Sequence, residues 1–439
     1  MSPALQIALL LASVAVLLGL MAVVRALSGV WGFSSEVQRK LVHIGTGLYA
    51  LTLPWLFPDR WPIYGLLGLT VVVMLVLRRP GSRLGQTLHG VERQSYGDLL
   101  LALSVGLCLF LAGDRLYLYV LPIAVLTLSD AFAALAGKAY GSIHFTVEEG
   151  QKSVEGSAVF FAITLLISFV CLMLMTDLAP LNIIVLSLMV ASFGAYVEAL
   201  SWRGFDNMFL PLGLLIFLTV HAEDSLADLA ALVVLFALSV LAFNRVAARI
   251  GLSKHAARVY VVAVFLLLAV TEVQNAIFPL LVLGAHAWCR KATPCTAKYP
   301  DLDIVAALAL VSFGWLALGN ATQWNAVSFY GLTTMSLMIG LCALALTPQS
   351  LAVRIAALMA IVAGALVLRA AIINVNPAPS NWNGPIWALS MISAVGMATI
   401  PSIYPSGFVR ARVTKLTLLA LAIPLLSYLY AIDISGLWT

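Results

Sequence analysis

From Asp130 to Ser157 the chain reads DAFAALAGKAYGSIHFTVEEGQKSVEGS, a polar stretch held between two long apolar runs. Its residue types suit phosphate and magnesium. Gly137, Gly141 and Gly156 let backbone N–H groups approach phosphate oxygens, Lys138 and Lys152 neutralise them, and a carboxylate such as Asp130 can hold Mg²⁺. Ser153, Glu155, Gly156 and Ser157 open the next apolar run, and the free N–H groups at a helix start attract anions. The same four residues admit a plainer role, with Ser153 and Glu155 capping that helix. The stretch is not a Walker A loop, which needs four residues between its first glycine and Gly-Lys-Ser/Thr, after a strand.

Two further groups carry polar side chains at the ends of apolar runs. In SSEVQRKLVHIG, helical spacing puts Glu36, Lys40 and His43 on one face, with His43 about a turn inside the apolar run. His43 is then either a packed, hydrogen-bonded group or a base. In VEALSWRGFDN, Glu198 and the pair Asp206–Asn207 bracket a turn; two helix ends could meet there around a cation, Asn207 adding a neutral oxygen, or Asp206 could simply cap a helix. Asp130 itself stands at the end of an apolar run, where a carboxylate is costly and marks function by default, unless water or Lys138 satisfies it. Glu92 and Arg93 read as ordinary loop charges; His221, Glu272 and the Asn-rich segment 373–384 offer less, Glu272 either lining a transport path or, near an outer helix end, being solvated.

The elements that position these groups are membrane helices. The chain is 439 residues long, 62% hydrophobic and 10% charged, with mean hydropathy +1.04, which excludes a soluble domain. Apolar runs of about 20 residues fit helical spans rather than the short alternating strands of a barrel. They fall near 5–25, 41–57, 61–77, 98–113, 116–136, 156–176, 180–200, 207–222, 228–247, 259–272, 276–288, 303–319, 326–346, 352–371, 384–405 and 413–431. The expected fold is therefore all-α, a polytopic bundle of about sixteen spans, its first span retained rather than cleaved.

Placing both termini outside leaves only Arg60, Arg115 and Arg369 of the 24 Lys and Arg on the outer side, as the positive-inside rule requires. The net charge of +5 then belongs to cytoplasmic loops and calls for no nucleic-acid partner. Loops 26–40, 78–97, 137–155 and 201–206 all fall on the cytoplasmic side, so the chemical groups share one compartment. Of 19 carboxylates, only Glu272, Asp301, Asp303 and Asp433 lie beyond Asp228. Magnesium chemistry needs carboxylates, which makes 1–224 the expected catalytic domain and 225–439 an added membrane module. The five cysteines are scattered without metal-ligand spacing and read as free thiols.

Taken together, EVQRKLVHIG at 36–45, DAFAALAGKAYG at 130–141, KSVEGS at 152–157 and EALS with DNMFLPL at 198–212 resemble the membrane-bound polyprenol kinase family, which includes dolichol kinase, phytol kinase and the CTP-dependent diacylglycerol kinase. The resemblance covers about residues 36–220. It implies that Gly137, Lys138, Gly141, Lys152, Ser153, Glu155 and Gly156 hold a nucleotide, usually CTP, with Asp130 beside the metal. The expectation is then phosphoryl transfer from CTP, or ATP, with Mg²⁺, to a long-chain lipid alcohol or diacylglycerol at the cytoplasmic face of a bacterial inner membrane, among membrane lipids. Asp130, Lys152, Asp206 and His43 are the expected catalytic residues, with Ser157 and Lys40 added to the nucleotide contacts and Asp130, Glu198, Asp206 and Asn207 to the metal. The clustered aspartates of CDP-diacylglycerol synthase are absent. A secondary transporter or lipid flippase is the alternative, though transporter sites sit at the midplane of broken helices rather than at one face.

Overall fold

The computed structural model describes residues 1–77, 97–147, 150–200, 204–247, 273–322, 324, 326–376 and 386–432. Two compact units divide it, Met1–Leu235 and Phe236–Thr439.

The first unit holds α1 (Pro3–Trp31), α2 (Ser35–Leu56), α3 (Trp61–Leu77), α4 (Gly97–Ala112) and α5 (Tyr117–Ala124). A π-helical turn, Val125–Ser129, continues α5 into α6 (Asp130–Tyr140). After it come strands β1 (His144–Val147) and β2 (Gly150–Ser153), then α7 (Val154–Met175), α8 (Pro180–Ala199), α9 (Asp206–His221) and α10 (Leu226–Ala247), which crosses the division between units. Serines start the polar ends: Ser34 accepts from Val37 N–H at α2 and Ser153 from Gly156 N–H at α7, each satisfying a donor that the first turn leaves free. Gly32 ends α1 in the left-handed conformation, φ 65°, with its N–H on the Ser28 carbonyl.

Helix α5 with its π turn is the buried centre of this unit. Leu118, Tyr119, Leu121, Ile123, Val125 and Leu126 are all fully buried, and Tyr119 donates to the Ala50 carbonyl of α2 at 2.6 Å. By contrast α1 and α7 expose Leu11, Val23, Leu166 and Leu174, the outward apolar face that suits contact with lipid. The short antiparallel β1–β2 hairpin pairs His144 with Ser153 and Val147 with Gly150. It adds one strand pair to the expected helical bundle, in a segment read from the sequence only as a polar loop.

The second unit holds a 3₁₀ turn (Val273–Ala276), α11 (Ile277–Ala292), α12 (Pro300–Thr322), α13 (Ala326–Ala345), α14 (Leu351–Val375), α15 (Trp387–Ile403), a 3₁₀ turn (Pro405–Phe408) and α16 (Arg412–Ala431). Helix α13 is its axis, buried along almost its whole length. Arg369, expected near an outer helix end, is fully buried within α14 and donates to the hydroxyl of Ser328 at 3.0 Å.

Among the described residues, eight helices are long and apolar enough to cross a membrane, and five more are apolar but shorter. This is an integral membrane helical protein. A helix stands at every expected span except 259–272, which lies outside the described residues together with Glu92, Arg93 and Glu272.

Candidate active site

The Asp130 carboxylate is held by α2. Lys40 donates to Asp130 Oδ2 at 2.6 Å, and both side chains are buried. One turn further along α2, His43 Nε2 lies 3.1 Å from the Leu126 carbonyl and 3.5 Å from Asp130 Oδ2. A carbonyl only accepts, so Nε2 carries the hydrogen. At the start of the same helix Arg39 pairs with Glu36 at 2.6 Å. Helical spacing thus delivers Lys40 and His43 to one carboxylate. The alternative pairing of Asp130 with Lys138 is not formed: Lys138 is exposed and donates to Ser34 at 2.8 Å.

Two features of the backbone set this geometry. The π turn, a rare conformation associated with functional sites, stands directly before Asp130 and carries the Leu126 carbonyl that His43 binds. Gly47 makes room for it: a Cβ there would press into Thr127 Oγ1 and lie 2.5 Å from Thr127 Cγ2. Gly47 and Thr127 had no part in the expected site. The sequence signal was a small residue on the His43 side of α2, in HIGTGLY.

The glycines of the polar segment form a second junction, where the end of α6 crosses the start of α7. A Cβ on Gly137 would lie 2.8 Å from Ser153 Oγ, and one on Gly156 would lie 2.9 Å from the Ala133 carbonyl and 3.3 Å from Gly137 Cα. Gly141 packs equally closely on the Gly137 carbonyl and Ser153. Here the absence of side chains brings two helix backbones together around the capping hydroxyl of Ser153. Glu155 ties the hairpin to the helix start, accepting from Ser142 Oγ and, at 3.1 Å, from Ile143 N–H. The Ser157 hydroxyl is buried without a hydrogen-bond partner.

Lys152, at the end of β2, donates to Glu198 Oε1 at 2.7 Å and also to the Glu198 backbone carbonyl. It thereby joins the hairpin to the end of α8. Asp206 begins α9, partly exposed, and the buried Asn207 gives its amide N–H to the Gly97 carbonyl at 2.7 Å. Glu198 therefore faces a lysine, and the Asn207 amide nitrogen is engaged with backbone. Among the described residues no three His, Cys, Asp or Glu side chains gather into a metal cluster, so Asp130, Glu198 and Asp206 do not form a cage by themselves. Mg²⁺ carried by a nucleotide needs less, commonly one or two carboxylates with phosphate oxygens and water completing its shell. Asp130, an acceptor-only group next to Lys40, fits that requirement.

An apolar cavity opens beside this cluster, between α1, α2, α3 and α4. Arg39, His43, Gly97 and Asn207 line one end, and beyond them Thr46, Tyr49 and Thr70 stand among otherwise apolar side chains. No single motif could have revealed it, because its walls come from four apolar helices.

Phytol kinase of Synechocystis sp. is 33% identical over 184 residues, covering 76% of that protein and 41% of this chain. No family model matches the chain, and no solved structure does. With the motif segments in place on α2, α6, β2, α7, α8 and α9, the chain belongs to the polyprenol kinase family that includes phytol kinase.

Proposed function

We propose that the first unit transfers the γ-phosphoryl group of CTP to the hydroxyl of a long-chain isoprenoid alcohol at the cytoplasmic face of the membrane. The observation that carries this reading is the buried Lys40–Asp130 pair with His43 beside it, placed where an apolar cavity meets polar residues. An enzyme joining a greasy alcohol to a charged nucleotide needs both environments in one place. Family membership supplies the reaction class, and the gathering of Lys and Arg in the loops assigned to the inside supplies the face.

Phosphoryl transfer asks the protein mainly to position its reactants and to neutralise charge. Asp130 is the group that would hold Mg²⁺, which when bound offsets charge on the phosphate oxygens. Lys152 and Lys138 serve the nucleotide from the hairpin side, and Lys40 orients the Asp130 carboxylate. The His43 N–H is committed to the Leu126 carbonyl, so His43 shapes the site around Asp130. Asp206 precedes Asn207, which lines the polar end of the cavity, and orients the acceptor hydroxyl. The alcohol oxygen bonds to the γ-phosphorus as the bridging P–O bond to the β-phosphate breaks. CDP leaves, and the alcohol proton passes to the Asp206 carboxylate.

Purified protein with Mg²⁺ and γ-labelled CTP is expected to label farnesol, geranylgeraniol or phytol, and chelating the Mg²⁺ is expected to abolish labelling. Transfer from ATP in preference to CTP would overturn the choice of donor. Absence of transfer from either nucleotide to any alcohol would overturn the reaction.

A further inference from the structure

We propose that the cavity between α1, α2, α3 and α4 holds the single hydrocarbon chain of the acceptor alcohol, and that its inner end limits how long that chain can be. This rests on the kinase reading above.

The lining positions on α2 run Arg39, Val42, His43, Thr46, Tyr49, Ala50 and Leu53. That is one face of one helix, and its 14 residues of rise make the slot about 21 Å long. Polarity falls steadily along it. Arg39 and His43 stand at one end with Asn207 of α9. Deeper in, the polar groups are turned away from the space: the Thr46 hydroxyl donates to the Val42 carbonyl at 2.9 Å, and the Tyr49 hydroxyl donates to Ser13 of α1. Thr46 therefore has its hydroxyl bound to its own helix. Apart from Thr70 of α3, what remains is hydrocarbon.

Buried side chains stand at the inner end. Leu53, Leu66 and Val105 line it from three helices and are each about 2% exposed, and Phe57, which caps the end of α2, and Ile63, a turn beyond on α3, are buried as well. A ligand for this space has one polar end and one long apolar tail. A slot following a single helix face fits one chain, so the acceptor class is a single-chain isoprenoid alcohol rather than a two-chain glycerolipid. The tail enters past His43, which leaves its hydroxyl near Asp130.

The test separates occupancy from catalysis. A photoactivatable farnesol or geranylgeraniol analogue, irradiated with the full-length protein without nucleotide, is expected to label the α2 and α4 peptides that contain Ala50, Leu53 and Ala102. Labelling elsewhere only, or displacement of the probe by diacylglycerol but not by geranylgeraniol, would overturn the proposal even if transfer activity is present. In the kinetic arm, Ala102→Phe is expected to lower kcat/KM for geranylgeraniol at least about tenfold relative to geraniol, the scale on which a filled hydrophobic pocket discriminates. Leu53→Ala is expected to shift preference the other way, toward longer chains, which guards against misfolding of the larger substitution. An active wild type whose variants keep one unchanged chain-length profile would overturn the length limit while leaving the kinase intact; a wild type inactive on every alcohol but labelled in the cavity would sink the kinase reading alone.

Discussion

Lys40 Nζ stands 2.6 Å from Asp130 Oδ2, a buried pair that bridges ninety residues of sequence. Removing one partner strands the other in a low-dielectric site, which typically costs roughly 3–5 kcal/mol. Lys40→Ala is therefore expected to lower stability in detergent by that order, read by thermal or denaturant unfolding. The double variant Lys40→Met, Asp130→Leu is expected to be less destabilised than either charge deletion. Asp130→Asn keeps the shape while losing the charge, and its turnover is expected to fall at least about 100-fold, some 2.7 kcal/mol of transition-state stabilisation. Near-normal turnover in Asp130→Asn would remove Asp130 from the reaction.

Lys152 supports a different prediction because its observed partner is Glu198 rather than Asp130. If it binds phosphate in the loaded enzyme, Lys152→Ala should raise the nucleotide KM by about tenfold, equivalent to 1.4 kcal/mol, and also depress kcat. Glu198→Gln retains the carbonyl that Lys152 also binds and should change the nucleotide KM less than Lys152→Ala does. Steady-state kinetics with varied CTP at saturating alcohol decide it. Equal effects of the two substitutions would mean that the pair serves only to pin β2 to α8.

The glycine junction gives a stability prediction. Gly156→Ala introduces a methyl 2.9 Å from the Ala133 carbonyl and 3.3 Å from Gly137 Cα, both backbone atoms that cannot swing aside. Forcing α6 and α7 apart should cost about 1–3 kcal/mol, the usual scale for overpacking, with activity falling alongside. Gly68→Ala, whose added methyl meets nothing within 4 Å, is the matched control and should leave the melting temperature nearly unchanged. Equal melting temperatures for the two would show that the α6–α7 crossing relaxes freely.

These contacts also show what the amino-acid order could and could not convey. The length of the apolar runs placed the helices well, since a span's length and polarity are local properties, and the spacing of Glu36, Lys40 and His43 correctly put them on one face. The partner of Lys40 was not legible, because nothing local links α2 to a carboxylate ninety positions away. The glycines were recognised as sites of close approach, but composition does not say whether a glycine approaches a ligand or another helix; Gly137, Gly141 and Gly156 approach α6, α7 and Ser153. The π turn left no sign either, for VLTLS reads as an ordinary apolar helix. In HFTV the strand signal was present but spans only four residues.

The π turn supplies the last prediction. Thr127 sits in it, fully buried, directly over Gly47. Gly47→Ala would drive its methyl into Thr127 Oγ1 and Cγ2 and so displace the turn that carries the Leu126 carbonyl and precedes Asp130. Turnover is expected to fall at least about tenfold, a 1.36 kcal/mol rise in the barrier, while the protein remains folded, because the clash falls on one side chain rather than on a helix crossing. Adding Thr127→Ala removes the two atoms in closest conflict and should restore part of the lost rate. Rate recovery without any change in melting temperature is the signature of a positioning defect. If Gly47→Ala instead unfolds the protein and Thr127→Ala rescues stability and rate together, the π turn is a packing feature of α5 and not a device for placing Asp130.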